Sequence, residues 1–208
     1  MNKVTEKKKL SELPIVWHES TPTRFSCQEG CLCCCIGTLF FPSEASGAPQ
    51  EVQEGLDFRD GLIRAKLRPP GFCVFFDESR PWHCQIPEYR ALRCDIYPFL
   101  PLVTPEAIVI VAEVFTTIIN PKKDDPFWYR CYGLGKGSSV VAKVEEAARL
   151  FLSRLEEEYP GFIEQYLTID TVDEWIDHRE IEKYTSPLLE DWDLKRIRQI
   201  SGRPEDRA

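Results

Sequence analysis

Five cysteines fall within nine residues, in Cys27-Gln28-Glu29-Gly30-Cys31-Leu32-Cys33-Cys34-Cys35, and no other feature constrains the chain as strongly. Packing does not explain such a run, because a core needs volume and thiols supply little of it. A disulfide framework explains it poorly. Neighbouring cysteines rarely reach each other with relaxed geometry, so each would need a distant partner. Thiolates are, however, the soft ligands of zinc and of iron–sulfur clusters, and short spacings let one loop wrap one site. The remaining cysteines, Cys73, Cys84, Cys94 and Cys131, are spread over the following hundred residues. Such scatter is expected if distant loops complete the same site or sites.

The chain has 208 residues, which suits one medium domain, alone or with an appended helical segment. Hydrophobic residues make up 43% and aromatics 12%, enough for a core of its own, so a metal would organise part of the fold and not all of it. With 26 Lys+Arg against 34 Asp+Glu the formal charge is −8, which argues against nucleic acid or an anionic membrane as partner. The N-terminal lysines are not followed by an apolar signal region, and no apolar stretch reaches the length of a membrane span. A cytoplasmic protein with reduced thiols is therefore expected, favouring metal or cluster ligation over disulfides.

Patterning predicts an α+β fold: a cysteine-rich metal-binding domain of short strands and irregular loops over residues 15–160, a helical extension over 161–199, and flexible ends at 1–14 and 200–208. Ile15–Trp17, Thr38–Phe41 and Cys73–Asp77 read as short strands, and Ala107–Ile119 as the strongest one. Pro42-Ser43-Glu44 reads as a helix start with Ser43 as its cap. Residues 45–70 are ambiguous, 78–101 irregular, and Pro121–Pro126 a turn. From Ser139 to Tyr159, Val140, Val144, Ala147, Ala148, Phe151 and Leu155 follow helical spacing. Shorter helices are expected over Phe162–Tyr166 and Val172–Glu182, and no internal repeat is visible.

Cys27-x3-Cys31-x2-Cys34-Cys35 resembles the signature of the CxxCxxCC cysteine-cluster family, whose members are described as zinc- or iron-chelating or as iron–sulfur proteins. The resemblance extends to Cys73-Val-Phe-Phe. It continues through Cys84-Gln-Ile-Pro-Glu-Tyr-Arg90-Ala-Leu-Arg-Cys94-Asp-Ile-Tyr-Pro-Phe and the turn Cys131-Tyr-Gly133-Leu-Gly135-Lys136-Gly137. Pro87, Ala91 and Asp95 stand where the family pattern has Tyr, Pro and Arg. The likeness covers about residues 24–155 and carries eight cysteines in order. It implies metal ligation by Cys27, Cys31, Cys34, Cys35, Cys73, Cys84, Cys94 and Cys131, and it makes Arg90 a candidate at the cofactor.

Eight thiols divide into two sites of four, or into one four-thiolate site with the rest as spares or redox partners. Cys34 and Cys35 are neighbours, so they serve different sites or only one ligates. Cys33 lies outside the matched pattern and reads as a packed thiol. His83, beside Cys84, is an alternate ligand that eight cysteines make unnecessary. Only the first half contains a C-x2-C pair, and a close group with remote partners resembles cluster ligation, so an iron–sulfur cluster of the 4Fe-4S type is favoured, with zinc as the alternative. The glycine turn is not a P-loop, since Gly137 follows Lys136 where Ser or Thr is needed. Gly133, Gly135 and Lys136 can instead offer N–H groups and a cation to an anionic cofactor, or simply form a helix-entry turn. Arg24, Arg90, Arg93 and Arg130 flank the cysteines and would lower thiol proton affinity. His18 and His178 lie outside the cluster, and the surrounding aromatics read as packing. Glu145, Glu146, Glu156, Glu157 and Glu158 read as a solvated helix face.

No Ser–His–Asp arrangement or dinucleotide fingerprint appears. The expected function is that of a metal-binding protein with a redox or electron-transfer role toward a redox or protein partner. Flagellin lysine N-methylases contain a similar cysteine domain, which raises a methylase-like activity using S-adenosylmethionine as one alternative. Metal chelation or delivery is another.

Overall fold

The computed structural model describes residues 9–27, 38–68, 72–77, 79–80, 84–112, 114–120, 125–131 and 133–172. Its elements are β1 (Ile15–Trp17), β2 (Arg24–Phe25), β3 (Leu39–Phe40), α1 (Pro42–Gly47), α2 (Gln50–Gln53), β4 (Leu56–Arg59), β5 (Leu62–Ala65), β6 (Leu67–Arg68) and β7 (Phe72–Cys73). They continue with α3 (Leu92–Ile96), β8 (Phe99–Val103), β9 (Ile108–Ala112), β10 (Val114–Asn120), β11 (Asp125–Arg130), β12 (Ser138–Ser139), α4 (Val141–Glu158) and α5 (Phe162–Tyr166). The fold is mixed α+β, with small sheets of short strands and its longest helix toward the C-terminal part.

The centre of the fold is β9. Every residue of Ile108-Val-Ile-Val-Ala112 is buried, as a continuous apolar run requires when both faces of a strand are covered. β9 pairs in parallel with β1 on one edge and antiparallel with β8 on the other. Its Ile108 and Ile110 face the main core with Phe99 of β8 and Val144, Ala148, Phe151, Leu152 and Leu155 of α4. Val109 and Val111 pack with Leu102 and Ala107 on the opposite side. The α4 stripe is the one the sequence predicts, with Leu152 added and with Val140 and Ala147 only partly covered. After α5, Val103 donates its N–H to the Leu167 carbonyl at 2.8 Å and accepts the Ile169 N–H at 3.0 Å, while Ile163 and Leu167 join the main core.

A second core lies under the sheet β3-β5-β4, lined by Phe40, Ala45, Val52, Leu56, Ile63, Ala65, Cys73, Phe75 and Phe76. The β4–β5 hairpin turns through Asp60-Gly61, both with positive φ (53° and 75°), as a two-residue type I′ turn needs. Tyr159, at the end of α4, joins the two cores. Its hydroxyl donates to the Phe40 carbonyl at 2.6 Å and accepts the Ile63 N–H at 3.2 Å. Tyr159→Phe keeps the ring but leaves both buried backbone groups without this partner, so a loss of about 1–3 kcal/mol is expected in a denaturant titration. An unchanged midpoint would mean that water replaces the hydroxyl.

Several expectations are corrected. Ser43 is not the helix cap: Phe41 occupies that position, and Ser43 N–H and Oγ both bond the Glu158 carboxylate at 2.8 and 2.7 Å. Glu158 and Glu145 are therefore not part of a merely solvated face, since Trp17 Nε1 donates to Glu145 at 2.9 Å. The strand at Cys73 stops at once, because Phe76 N–H turns back to the Cys73 carbonyl and both Phe75 and Phe76 are buried. Alternation along one strand would have sent one of the two outward. The irregular segment holds α3 and a 3-10 turn at Pro87–Tyr89. The long strand prediction falls on two strands, β9 and β10, and β10 pairs antiparallel with β11. Asp125 and Pro126 belong to β11, not to a turn. Leu10–Glu12 forms a 3-10 turn and Leu13 is buried, ahead of the predicted start at residue 15. Most of the predicted helix over Val172–Glu182 and the tail at 200–208 lie outside the described residues. Among those described, no helix is long and apolar enough to cross a membrane.

Candidate functional site

Five of the nine cysteines are described, and none of Cys27, Cys73, Cys84, Cys94 and Cys131 is joined in a disulfide. They fall at two places in the fold. Cys31, Cys33, Cys34, Cys35 and His83 lie outside the described residues.

The first place is the edge of the second core. Cys73 ends β7, where it pairs with Leu67 of β6. The chain then turns, and the bridge between Phe76 and Cys84 brings it back, with Gln85 N–H donating to the Phe75 carbonyl at 2.8 Å. Cys94 approaches from α3, its thiol donating to Thr38 Oγ1 at 3.5 Å. Cys73, Cys84 and Cys94 all pack into this core. Burial is the main reason that the Cys73 thiol is pushed up to about 12, with the neighbouring Cys94 and Cys84 adding to it and Arg68 opposing. Burial also pushes Cys94 up, against the Thr38 hydrogen bond and the cations of Arg90 and Arg93, with Cys84 adding to the rise. The three thiols thus sense one another. A bound cation would relieve this shared penalty, because it favours the thiolate form.

Arg90 serves this place through the backbone as well. Its guanidinium donates to the Cys94 carbonyl at 3.2 Å and lies 3.7 Å from Asp95. Arg93 donates to the Phe99 carbonyl at 3.1 Å and Arg68 to the Phe76 carbonyl at 2.7 Å. The guanidinium groups that favour the Cys94 thiolate are thereby held in place by carbonyls.

The second place is the Cys131 turn. Leu134 N–H donates to the Cys131 carbonyl at 3.2 Å, and the turn then folds over β2. Ser26 N–H donates to Gly133 at 3.2 Å, Gly135 N–H to Arg24 at 2.9 Å, and β12 pairs antiparallel with β2. Cys27 follows Ser26 directly, so the segment carrying Cys27 lies beside the turn that begins at Cys131. The glycines allow this contact. A side chain at Gly133 would strike the Ser26 carbonyl and the Phe25 ring, and one at Gly137 the Phe25 carbonyl. The N–H groups of Gly135 and Lys136 are engaged by the Arg24 and Gly133 carbonyls. Close packing accounts for glycine at Gly133 and Gly137, and positive φ for Gly135. Arg24 Nε donates to the Gly137 carbonyl at 2.6 Å and closes the turn.

Among the described residues, no group of three or more His, Cys, Asp or Glu side chains converges closely enough to hold a metal ion. The described thiols are thus a partial donor set at most. Residues 28–37, which carry four further cysteines, leave the described structure at Cys27, beside the Cys131 turn, and re-enter it at Thr38, against Cys94. Sequence reasoning overlooked Thr38, a plain strand residue whose partner lies 56 positions away. No protein-family model matches the chain, and neither a curated protein nor a solved structure matches it.

Proposed function

We propose that this chain binds a metal through cysteine thiolates, as an iron–sulfur protein of the 4Fe-4S type with a redox role, zinc being the alternative occupant. The observation that carries the reading is that buried Cys73 and partly buried Cys84 and Cys94 pack at one hydrophobic cluster, with Cys94 against Thr38, where the chain leaves the cysteine-rich segment. Cys27 and Cys131 at the other end of that segment extend the same logic. The donor chemistry fits: the thiols are several and soft, Cys73 and Cys131 are buried and the others partly so, and cations lie close enough to favour thiolate at Cys94. Cys31, Cys34 and Cys35 would supply the remaining ligands. A cluster held there would supply one-electron chemistry, and the aromatic shell of Phe40, Phe75 and Phe76 would limit water around it. The chain's own part is to gather the thiols, to release the protons that burial makes them hold, and to exclude solvent. A methylase-like activity and metal delivery rest on the cysteine likeness alone.

Anaerobic isolation followed by iron, sulfide and zinc analysis tests the reading. Iron with acid-labile sulfide and broad absorption near about 400 nm is expected for a thiolate-bound cluster. Colourless protein with stoichiometric zinc would select the alternative, and metal-free protein would sink both. Cys31→Ser and Cys94→Ser should each strip most of the metal and lower stability, because binding energy is coupled to folding. Cys33→Ser should do so far less. Equal damage from Cys33→Ser and Cys31→Ser would overturn the assignment within the loop.

A further inference from the structure

We infer that Glu44 is a positioning residue for Cys94: a single carboxylate ties the first turn of α3 to the start of α1 and so sets where the Cys94 thiol stands against Thr38. The role it serves rests on the metal reading above, whereas the geometry does not. Glu44 Oε2 accepts the Phe41 N–H at 3.0 Å, and Oε1 accepts the Leu92 N–H at 2.9 Å. The first bond is local. The second crosses 48 positions of sequence to the residue that opens α3.

Both ends lead directly to the thiol. Phe41 is joined through Phe40 and Leu39 to Thr38, and Leu92 lies one residue short of neighbouring Cys94. The circuit closes where Cys94 Sγ meets Thr38 Oγ1 at 3.5 Å. It contains little slack. Ala91 and Ile96, at either side of α3, are fully buried, and Cys94 N–H is bonded to the Ala91 carbonyl at 2.8 Å. The carboxylate is itself flanked by α4, since Arg154 and Glu158 act on it and Glu158 holds the adjacent Ser43. A carboxylate is required because both partners are donors. Glutamine offers one acceptor oxygen, and its amide group would face an N–H. An outer residue that orients a ligand in this way is conventionally detected through metal affinity.

The test uses the full chain, reduced and metal-free, with residue-resolved iodoacetamide labelling, and a parallel Co²⁺ titration followed by thiolate-to-metal absorption. Glu44→Gln should speed Cys94 labelling about tenfold, the factor that one lost hydrogen bond to a charged group corresponds to. Cys131 labelling should not change. Co²⁺ affinity should fall about tenfold or more, as for loss of an outer-shell partner. Ser43→Ala, which removes the hydroxyl's bond to Glu158 but keeps the backbone bond and spares both Glu44 bonds, should leave Cys94 labelling as in the wild type. Equal acceleration at Cys94 and Cys131, or none at Cys94, would overturn the inference, as would Co²⁺ affinity equal in variant and wild type. A wild type that takes no Co²⁺ would sink the zinc alternative, while the labelling would still decide the part of Glu44. Should Glu44→Gln not fold, wild-type hydrogen exchange decides instead: Phe41 and Leu92 amides should both be protected, and free exchange at Leu92 refutes the clamp.

Discussion

A chain ending at Gly137 is expected to show no cooperative unfolding transition and to retain no metal, although it keeps every cysteine. α4 supplies Val144, Ala148, Phe151, Leu152 and Leu155 to the main core. Each large buried side chain contributes about 1.5–3 kcal/mol, so their joint removal rivals the whole stability of about 5–15 kcal/mol of a typical domain. The truncation also removes Tyr159, which ties the Phe40 and Ile63 backbones, and Glu158, which holds Ser43. These contacts fix β3 and α1, the elements that follow the cysteine-rich segment. A chain ending at Ser186 keeps all of them and should melt and bind metal as the full chain does. Thermal melting by circular dichroism, with metal analysis of both truncations, checks this. A cooperative melt or full metal content in the shorter chain would show that the cysteine domain stands without the helix.

Gly137→Ala should cost about 3 kcal/mol, and Gly135→Ala only about 1 kcal/mol, since a left-handed conformation alone costs a side chain roughly 1–2 kcal/mol and overpacking adds a similar amount. Both glycines have positive φ, 71° and 79°. They differ in what a side chain would meet. At Gly135 nothing lies within 4 Å, whereas at Gly137 the new carbon would lie 2.5 Å from Ser26 Cβ and 2.9 Å from the Phe25 carbonyl oxygen. The backbone of β12 would have to leave β2, loosening the turn after Cys131 from the segment before Cys27. Urea midpoints of the two variants decide the matter. Equal losses would mean that conformation alone, and not the contact with β2, makes glycine necessary at Gly137.

Periodicity made the largest elements legible. The stripe from Val140 to Leu155 is a property of local spacing, and α4 lies where that spacing ends, at Val141–Glu158. The run Ile108–Ala112 is apolar at every position, short and rich in β-branched residues, which together favour a strand covered on both faces. The α+β class follows from such local signals. Other elements gave no such signal. α3 is a five-residue helix without a side-chain cap of its own, and the carboxylate that bonds its first N–H comes from Glu44, far back in the chain. Phe72 to Phe76 has strand composition, yet burial of two adjacent rings on the second core turns it after Cys73.

By itself the sequence determined which chemistry the chain can offer: nine thiols, five of them in one short run, with arginines and glycines around the outlying ones. It also determined the two strongest secondary elements, because their patterns repeat within a few residues. Only the tertiary structure decided which thiols meet. A bridge from Phe76 to Cys84 brings the chain back beside Cys73, and Cys94 reaches the same cluster from a helix held against Thr38. The turn after Cys131 lies against the segment before Cys27 because β12 pairs with β2 across more than a hundred residues. These are contacts between segments remote in the chain, set by strand pairing and core burial, and such forces leave no trace in the spacing of the residues they bring together.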